Sequence, residues 1–463
     1  MFSAAILLIC LKSCTGAGII IKLRGVLIGM HASKIQMMKS TESTLGINKN
    51  ECIQFGIGFA TGRKSFQKVL KAYLYNWKEA RQQEKENINL HLLVAYDLKY
   101  SNTKSTDYTN LNQDIVDMIE QSYFIDRKSL LKNIEDLMQD KVISEKEITS
   151  FFGNGYAGKR NAILYTAIRN KIDYLVFLDD DEYPMAVTKN HSAVLWSGQH
   201  ILTNHLKFIK EADITNGYHC GYISPIPNVN FDNTLSESDF RLFIEAISND
   251  IVNWNSIRNI MKNGGVTYAD TNILVNELAE EVAEVNHCKF ITGANLCINL
   301  TNPNKVLPFY NPPGARGEDT FLSTCLNSHK VIRIPCYAFH DGFSAYNHLL
   351  DGVLPTTLGH ISTNSEKIVN RFYHACIGWI RYKPLLLYIT QREHYEDKIR
   401  EVEEKLAVTL PKICAYFNRS DFMKISSELA LYSRNVKKHY KHFLDTQAIW
   451  TRILEYLKTT NKC

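Results

Sequence analysis

The chain has no CxxC pair among its 11 cysteines, no long block of one charge sign, and no apolar run long enough to cross a bilayer. The first absence excludes a zinc ribbon, and the odd cysteine count argues against a secreted disulfide framework, so reduced and mostly buried thiols are expected. With 53 Lys plus Arg against 48 Asp plus Glu, the net charge of +5 is spread over 463 residues. No nucleic-acid footprint results, though the small surplus leaves room for anionic ligands. Only 23 Gly and 11 Pro against 45% hydrophobic residues exclude collagen-like and disordered chains. Phe2–Leu11 is apolar over only about ten positions where roughly 20 are needed to span, and Gly16–Met30 is broken by Lys22 and Arg24. Residues 1–45 are therefore expected to be an N-terminal tail or short apolar segment on a cytoplasmic protein.

From about Glu51 the pattern sharpens. CIQFGIGFATGRK reads as a buried strand ending in a glycine turn, and SFQKVLKAYLYNWKEARQQ has helical spacing. A second apolar run over 88–97 ends on Asp97, and helical patterns follow near 113–140. YAGKRNAILYTAIRNK predicts a helix beginning near Gly158, and IDYLVFLDDDEYP a short strand running straight into acid. Such alternation favours an α/β fold with a mostly parallel, Rossmann-like sheet and flanking helices. Residues 213–231 and 288–300 read as further strands, separated by a helical insertion at about 236–286. A helix opens at GEDTFLSTCL, and VIRIPCYAFHDGF supplies a last strand carrying His340. The expected division is a tail over 1–45, an α/β domain over 46–345, and a helical C-terminal region over 346–463.

The strongest chemical signal is Asp179, Asp180 and Asp181, with Glu182 next, directly after YLVFL. Ligands in open α/β sheets bind beyond the ends of strands, and alternate side chains place Asp179 and Asp181 on one side. Two hard oxygen ligands there suit Mg2+ or Mn2+ held against a diphosphate. A solvated acidic turn has the same composition, but four like charges at the end of a buried strand repel unless a cation neutralises them. Glu318 and Asp319 open a helix, where the macrodipole also favours carboxylates. Lys159 and Arg160 form a cationic first turn.

Together these pieces resemble the nucleotide-sugar-dependent glycosyltransferases of GT-A fold, most like the large inverting family 2. The resemblance covers roughly residues 51–345 and rests on order: an apolar strand ending in D-x-D at Asp179-Asp180-Asp181, preceded by Gly158-Lys159-Arg160-Asn161, and followed by FITGANLCINL, Gly317-Glu318-Asp319 and the late His340. It implies that Asp181 and His340 ligate Mn2+ or Mg2+, with Asp179 at the metal or its water shell. It further implies that Asp97, Lys159, Arg160, Asn161, Asp179 and Asp180 contact the donor, and that Gly293 lets backbone approach its sugar. Asp319 would be the base, with Glu318 beside it. The Thr61-Gly62-Arg63 turn would lie against the base and ribose, with Arg63 itself read as loop structure. No Q/R-x-x-R-W motif appears, which disfavours polymer synthesis.

The resemblance implies an inverting, metal-dependent glycosyltransferase moving one sugar from a UDP- or GDP-sugar to a hydroxyl acceptor on a glycan or other biomolecule. Two other readings stay open: a Mg2+-dependent phosphotransferase or phosphatase using the Asp cluster, and a non-catalytic nucleotide-sugar-binding protein of the same fold. The first wants a Thr or Ser after the cluster, where Glu182-Tyr183 stands. The basic, aromatic C-terminal helix with Lys437, Lys438, Lys441, Tyr440, Phe443 and Trp450 suits packing on the α/β domain better than peripheral membrane contact.

Overall fold

The computed structural model describes residues 52–81, 86–153, 155–248 and 254–460, so the expected tail over 1–45 lies outside the described residues. The α/β class, the mostly parallel sheet with flanking helices and the helical C-terminal region are all present. Among the described residues the sheet has nine strands, eight of them on its main path: β1 (Ile53–Thr61), β2 (Ile88–Tyr96), β3 (Gln121–Ile125), β4 (Tyr174–Leu178), β5 (Glu182–Tyr183), β6 (Ile214–Gly221), β7 (Leu296–Asn299) and β8 (Val331–His340). Their spatial order is β3-β2-β1-β4-β7-β6-β8-β5. β1 pairs in parallel with β2 and β4, β2 with β3, and β6 with β8. β7, between β4 and β6, β5, at the end of β8, and the ninth strand Glu280–Glu281, beside Ile332 and Arg333 of β8, run antiparallel.

β1 and β4 read as continuous apolar runs because both sheet faces are covered. On β4, Leu175 and Phe177 enter one core while Val176 and Leu178 enter the other. The core holding Val176 and Leu178 is closed by α1 (Phe66–Ala80) and the core holding Leu175 and Phe177 by α2 (Tyr156–Arg169), which begins two residues before the predicted Gly158. The stretch 113–140 holds short helices broken by β3, whose alternation is too weak to stand out in the sequence. The 213–231 pattern contracts to β6, and the irregular run after Gly221 crosses the top of the sheet.

Two helices of the 236–286 block, α3 (Glu237–Ile247) and α4 (Trp254–Lys262), do not lie on the sheet, whereas Thr271–Asn276 sets Ile273 and Leu274 against a sheet core. Phe240, Phe243 and Trp254 instead share a third core with Phe372, Ile380, Leu406 and Phe422 of the C-terminal helices. Those helices are α5 (Glu366–Thr390), α6 (Tyr395–Tyr416), α7 (Lys424–Arg434) and α8 (Val436–Thr460). α8 is bound to the α/β part: Trp450 stacks on Phe151 at 5.8 Å and its indole N–H donates to the Val306 carbonyl at 2.7 Å. Phe443 is buried as well. Among the described residues, no helix is long and apolar enough to cross a membrane.

Trp450→Ala therefore removes a large buried ring and a buried hydrogen bond. The expected loss is about 3–5 kcal/mol in urea unfolding followed by near-ultraviolet circular dichroism. A loss within 0.5 kcal/mol would mean that α8 is not part of the folded core.

Candidate active site

The parallel strands deliver the candidate residues to one edge of the sheet. Arg63 follows β1, Asp97 follows β2, Asp179–Asp181 follow β4, and His340 ends β8. Because the three aspartates leave a strand end, their side chains diverge, and different cations take them. Asp180 is 7% exposed and accepts from the Thr61 hydroxyl and from Arg63. Asp181 faces the same guanidinium at 2.9 Å, with His340 Nε2 at 3.7 Å on its other side. Asp179 turns instead towards Arg160 Nη2, at 3.4 Å.

Arg160 is the centre of the second group. It projects from the first turn of α2 and is only 2% exposed, with its guanidinium carbon 5.1 Å from the Phe177 ring centre and 5.4 Å from that of Phe309. Its Nη1 donates to the Gly293 carbonyl, and its Nε stands 3.5 Å from Glu318. Glu318 and Asp319 open a short helix, Glu318–Ser323. Asp319 accepts from the Gly293 N–H at 3.2 Å and from the Thr320 N–H at 2.8 Å. Gly293 is needed here, since a Cβ would stand 3.1 Å from Arg160 Nη2 and 3.5 Å from the Asp319 Cβ. One buried arginine thus ties the acidic strand end, the Gly293 loop and the Glu318-Asp319 pair into a single cleft.

The electrostatics follow this division. Burial pushes the Asp179 carboxyl well above its ordinary value, with Glu182, Asp181 and Asp180 adding to the rise and Arg160 opposing it. Glu318 is likewise pushed up, by burial first and then by the charge of Asp319, against Arg160. For Asp181, burial acts in the same sense, but His340, Arg63 and Arg371 outweigh it and hold the carboxyl below the ordinary range. Burial would lower His340, yet Asp181 and then Glu182 hold it at about 9. Burial also raises Asp97, which the Lys99 N–H at 3.0 Å and Lys159 at 3.3 Å more than offset.

Whether these groups fit a divalent cation can be read from their oxygens and nitrogens. The His340 Nδ1–H donates to the Tyr222 carbonyl at 2.8 Å, which directs Nε2 at Asp181 as in a metal-ligating histidine. Asp179 is drawn off by Arg160, however, so the expected trio of Asp179, Asp181 and His340 is not assembled. Among the described residues, no three His, Cys, Asp or Glu side chains stand together as a metal ion requires. Asp181 and His340 remain the pair that would hold a cation, with Arg63 already 2.9 Å from the Asp181 carboxylate.

Two sequence expectations change. Asn161 is buried, and its amide donates to the Phe151 and Phe309 carbonyls at 3.1 and 3.0 Å while its oxygen accepts from the Phe309 N–H at 2.8 Å. Its polar capacity is spent holding the Phe309 loop under Arg160, not turned to a donor. Arg63 is more than loop structure, since it neutralises two of the three aspartates. The sequence offered one signal for it, a cation two residues past the end of a buried strand. Arg371, on the helix after Ser365, and the buried Glu182–His219 pair at 3.0 Å also border the cleft and carried no motif.

Arg160→Met would leave Asp179 and Glu318 without their cation. The expected cost at pH 7 is about 3 kcal/mol, with the partly exposed Asp179 contributing less than Glu318. Folding raises both carboxyls and losing Arg160 raises them further, so the variant's native state binds more protons and the penalty grows as pH rises past the already raised wild-type values. Chemical denaturation of wild type and variant at pH 4 and pH 7 checks this. An equal penalty at both values would contradict the ion-pair reading.

No family model matches the chain, and no curated protein matches it by sequence. Among solved structures, it is similar to one titled as the crystal structure of galactosyltransferase LgtC in complex with donor and acceptor sugar analogs. The identity is 10%, the match covers 70% of this chain and 95% of that one, and the TM-score is 0.21. That likeness is too loose to transfer a residue or an activity.

Proposed function

We propose that the chain is an inverting glycosyltransferase that moves a sugar from a UDP- or GDP-sugar to a hydroxyl acceptor. The observation that carries this reading is the shared cleft. Asp179 and Glu318 meet on Arg160, and Asp319 meets the Gly293 amide whose carbonyl Arg160 also holds. A chain that only bound a nucleotide would have no use for a second carboxylate pair fixed opposite the first. Phosphoryl transfer on an Asp nucleophile is less suited, since Asp179, Asp180 and Asp181 are each already engaged by an arginine.

In this reading Asp97 and Lys159 border the nucleoside, and the ends of β4 and β8 face the diphosphate. Asp319 is the base. Its two backbone N–H partners orient it without occupying all of its lone pairs. It takes the acceptor hydroxyl proton as that oxygen attacks the anomeric carbon from the face opposite the diphosphate, which inverts the configuration. Glu318, paired with Arg160, positions that guanidinium. A divalent cation held by Asp181 and His340 would offset charge on the departing diphosphate. Gly293 leaves room for the sugar beside Asp319.

Two measurements test this. The melting temperature of wild type and Asp181→Ala is recorded with UDP, GDP, CDP and TDP, each with and without Mn2+. A rise with UDP or GDP that is strongest with Mn2+ and is lost in the variant is expected, because a ligand of the native state stabilises it by mass action. No rise with any nucleotide would overturn the reading. Once a donor is found, Asp319→Asn is expected to lower kcat by about 100- to 10,000-fold with donor affinity unchanged. A kcat within threefold of wild type would remove Asp319 from the base role.

A further inference from the structure

The cleft has a third wall that neither the acidic strand end nor the Glu318-Asp319 pair accounts for. It comes from α5, in the helical C-terminal region. Arg371 lies one turn into that helix, and its guanidinium carbon stacks 4.6 Å from the Phe343 ring centre. Gly342 marks its position relative to the site. A Cβ at Gly342 would stand 2.7 Å from Arg371 Nη2 and 2.9 Å from His340 Cε1, so the guanidinium and the imidazole converge over one glycine. His340 in turn faces Asp181, and Asp181 faces Arg63.

Arg316 approaches from the loop before Glu318. Its side chain runs across Gly378, seven residues and about two turns beyond Arg371, with its Cδ 3.7 Å from where a Cβ there would stand. Arg371 and Arg316 therefore share one face of α5. Among the described residues, neither has a carboxylate within 4.0 Å, while every other arginine named at the site does. Burial holds Arg371 below its ordinary value, and Arg63 and Arg316 add like-charge repulsion against the attraction of Asp181. Guanidiniums gathered in this way are offset by a ligand with several anionic oxygens, which their planar forks can grip two at a time.

We propose that Arg371, with Arg316 and Arg63, is the binding wall for the donor's diphosphate, so that the C-terminal helices complete the donor site. The assignment rests on the glycosyltransferase reading for the nucleoside and sugar, but the anion site itself stands on the arginines. It also gives α5 a role in charge neutralisation beside the Asp181–His340 pair.

Isothermal titration with UDP, inorganic pyrophosphate and uridine, in EDTA and in Mn2+, separates the possibilities for wild type, Arg371→Gln, Arg371→Lys and Arg316→Gln. Loss of one charge-assisted phosphate contact is expected to weaken UDP and pyrophosphate alike by about 10- to 100-fold in Arg371→Gln. Arg371→Lys should fall between, and uridine should be unaffected. Arg316 is exposed, so Arg316→Gln tests the wall in a variant whose folding is not in question. If both glutamine variants bind UDP and pyrophosphate as wild type does, the wall is refuted while the glycosyltransferase reading survives. If wild type binds pyrophosphate but not UDP, and the variants lose it, the wall stands and the nucleotide-sugar reading falls. Binding of neither ligand by wild type would refute the wall as well.

Discussion

A guanidinium buried to 2% exposure is the constraint on which the rest of the site depends. Removing such a charge from water costs several kcal/mol unless its surroundings replace the lost hydration. At Arg160 the replacement comes from far apart in the sequence. Phe177 and Phe309 cover its faces, the Gly293 carbonyl accepts from one edge, and Asp179 and Glu318 supply the opposing charge. Each of these partners belongs to a different segment. Satisfying one cation therefore fixes the end of β4, the loop before β7 and the start of the Glu318 helix relative to one another. The raised carboxyls of Asp179 and Glu318 reflect that arrangement: a partly exposed and a mostly buried acidic group held close together, with one arginine between them.

The second cationic group is organised differently. Arg63 and His340 flank Asp181 at the open end of the sheet, while Arg371 and Arg316 reach in from the helical side. Here Arg371 and Arg316 add positive charge that, among the described residues, no carboxylate within 4.0 Å answers. The helical region is thereby linked to the sheet at two places, by Trp450 and Phe151 on one flank and by Arg371 at the cleft. The 236–286 block joins this region through the third core, so the helices stand as one buttress beside the sheet.

Much of the framework was legible because buried parallel strands and amphipathic helices leave strong periodic signals. The runs that became β1, β2, β4 and β8 were clear, as was the acidic exit from β4. Weakly alternating β3 and the short antiparallel β7 were blurred, since pairing there is decided by neighbours distant in sequence. The candidate residues were legible as residue types at element ends, but not their partners. Asn161 carried the same local pattern as Lys159 and Arg160, yet one position along the helix turned it inward to the Phe309 backbone. Arg63, Arg371 and Arg316 were invisible as a group because nothing in the sequence joins a β1 turn, a loop and a C-terminal helix.

The central claim is that the β4 acidic end and the Glu318-Asp319 helix end are two sides of one donor site. A crystal structure with UDP or GDP and Mn2+ bound tests it most directly. The expected result is a diphosphate between Asp181, His340 and the Arg371 face, with the space for the sugar open towards Gly293 and Asp319. A nucleotide seated elsewhere, or with Asp319 turned away from its diphosphate end, would contradict it.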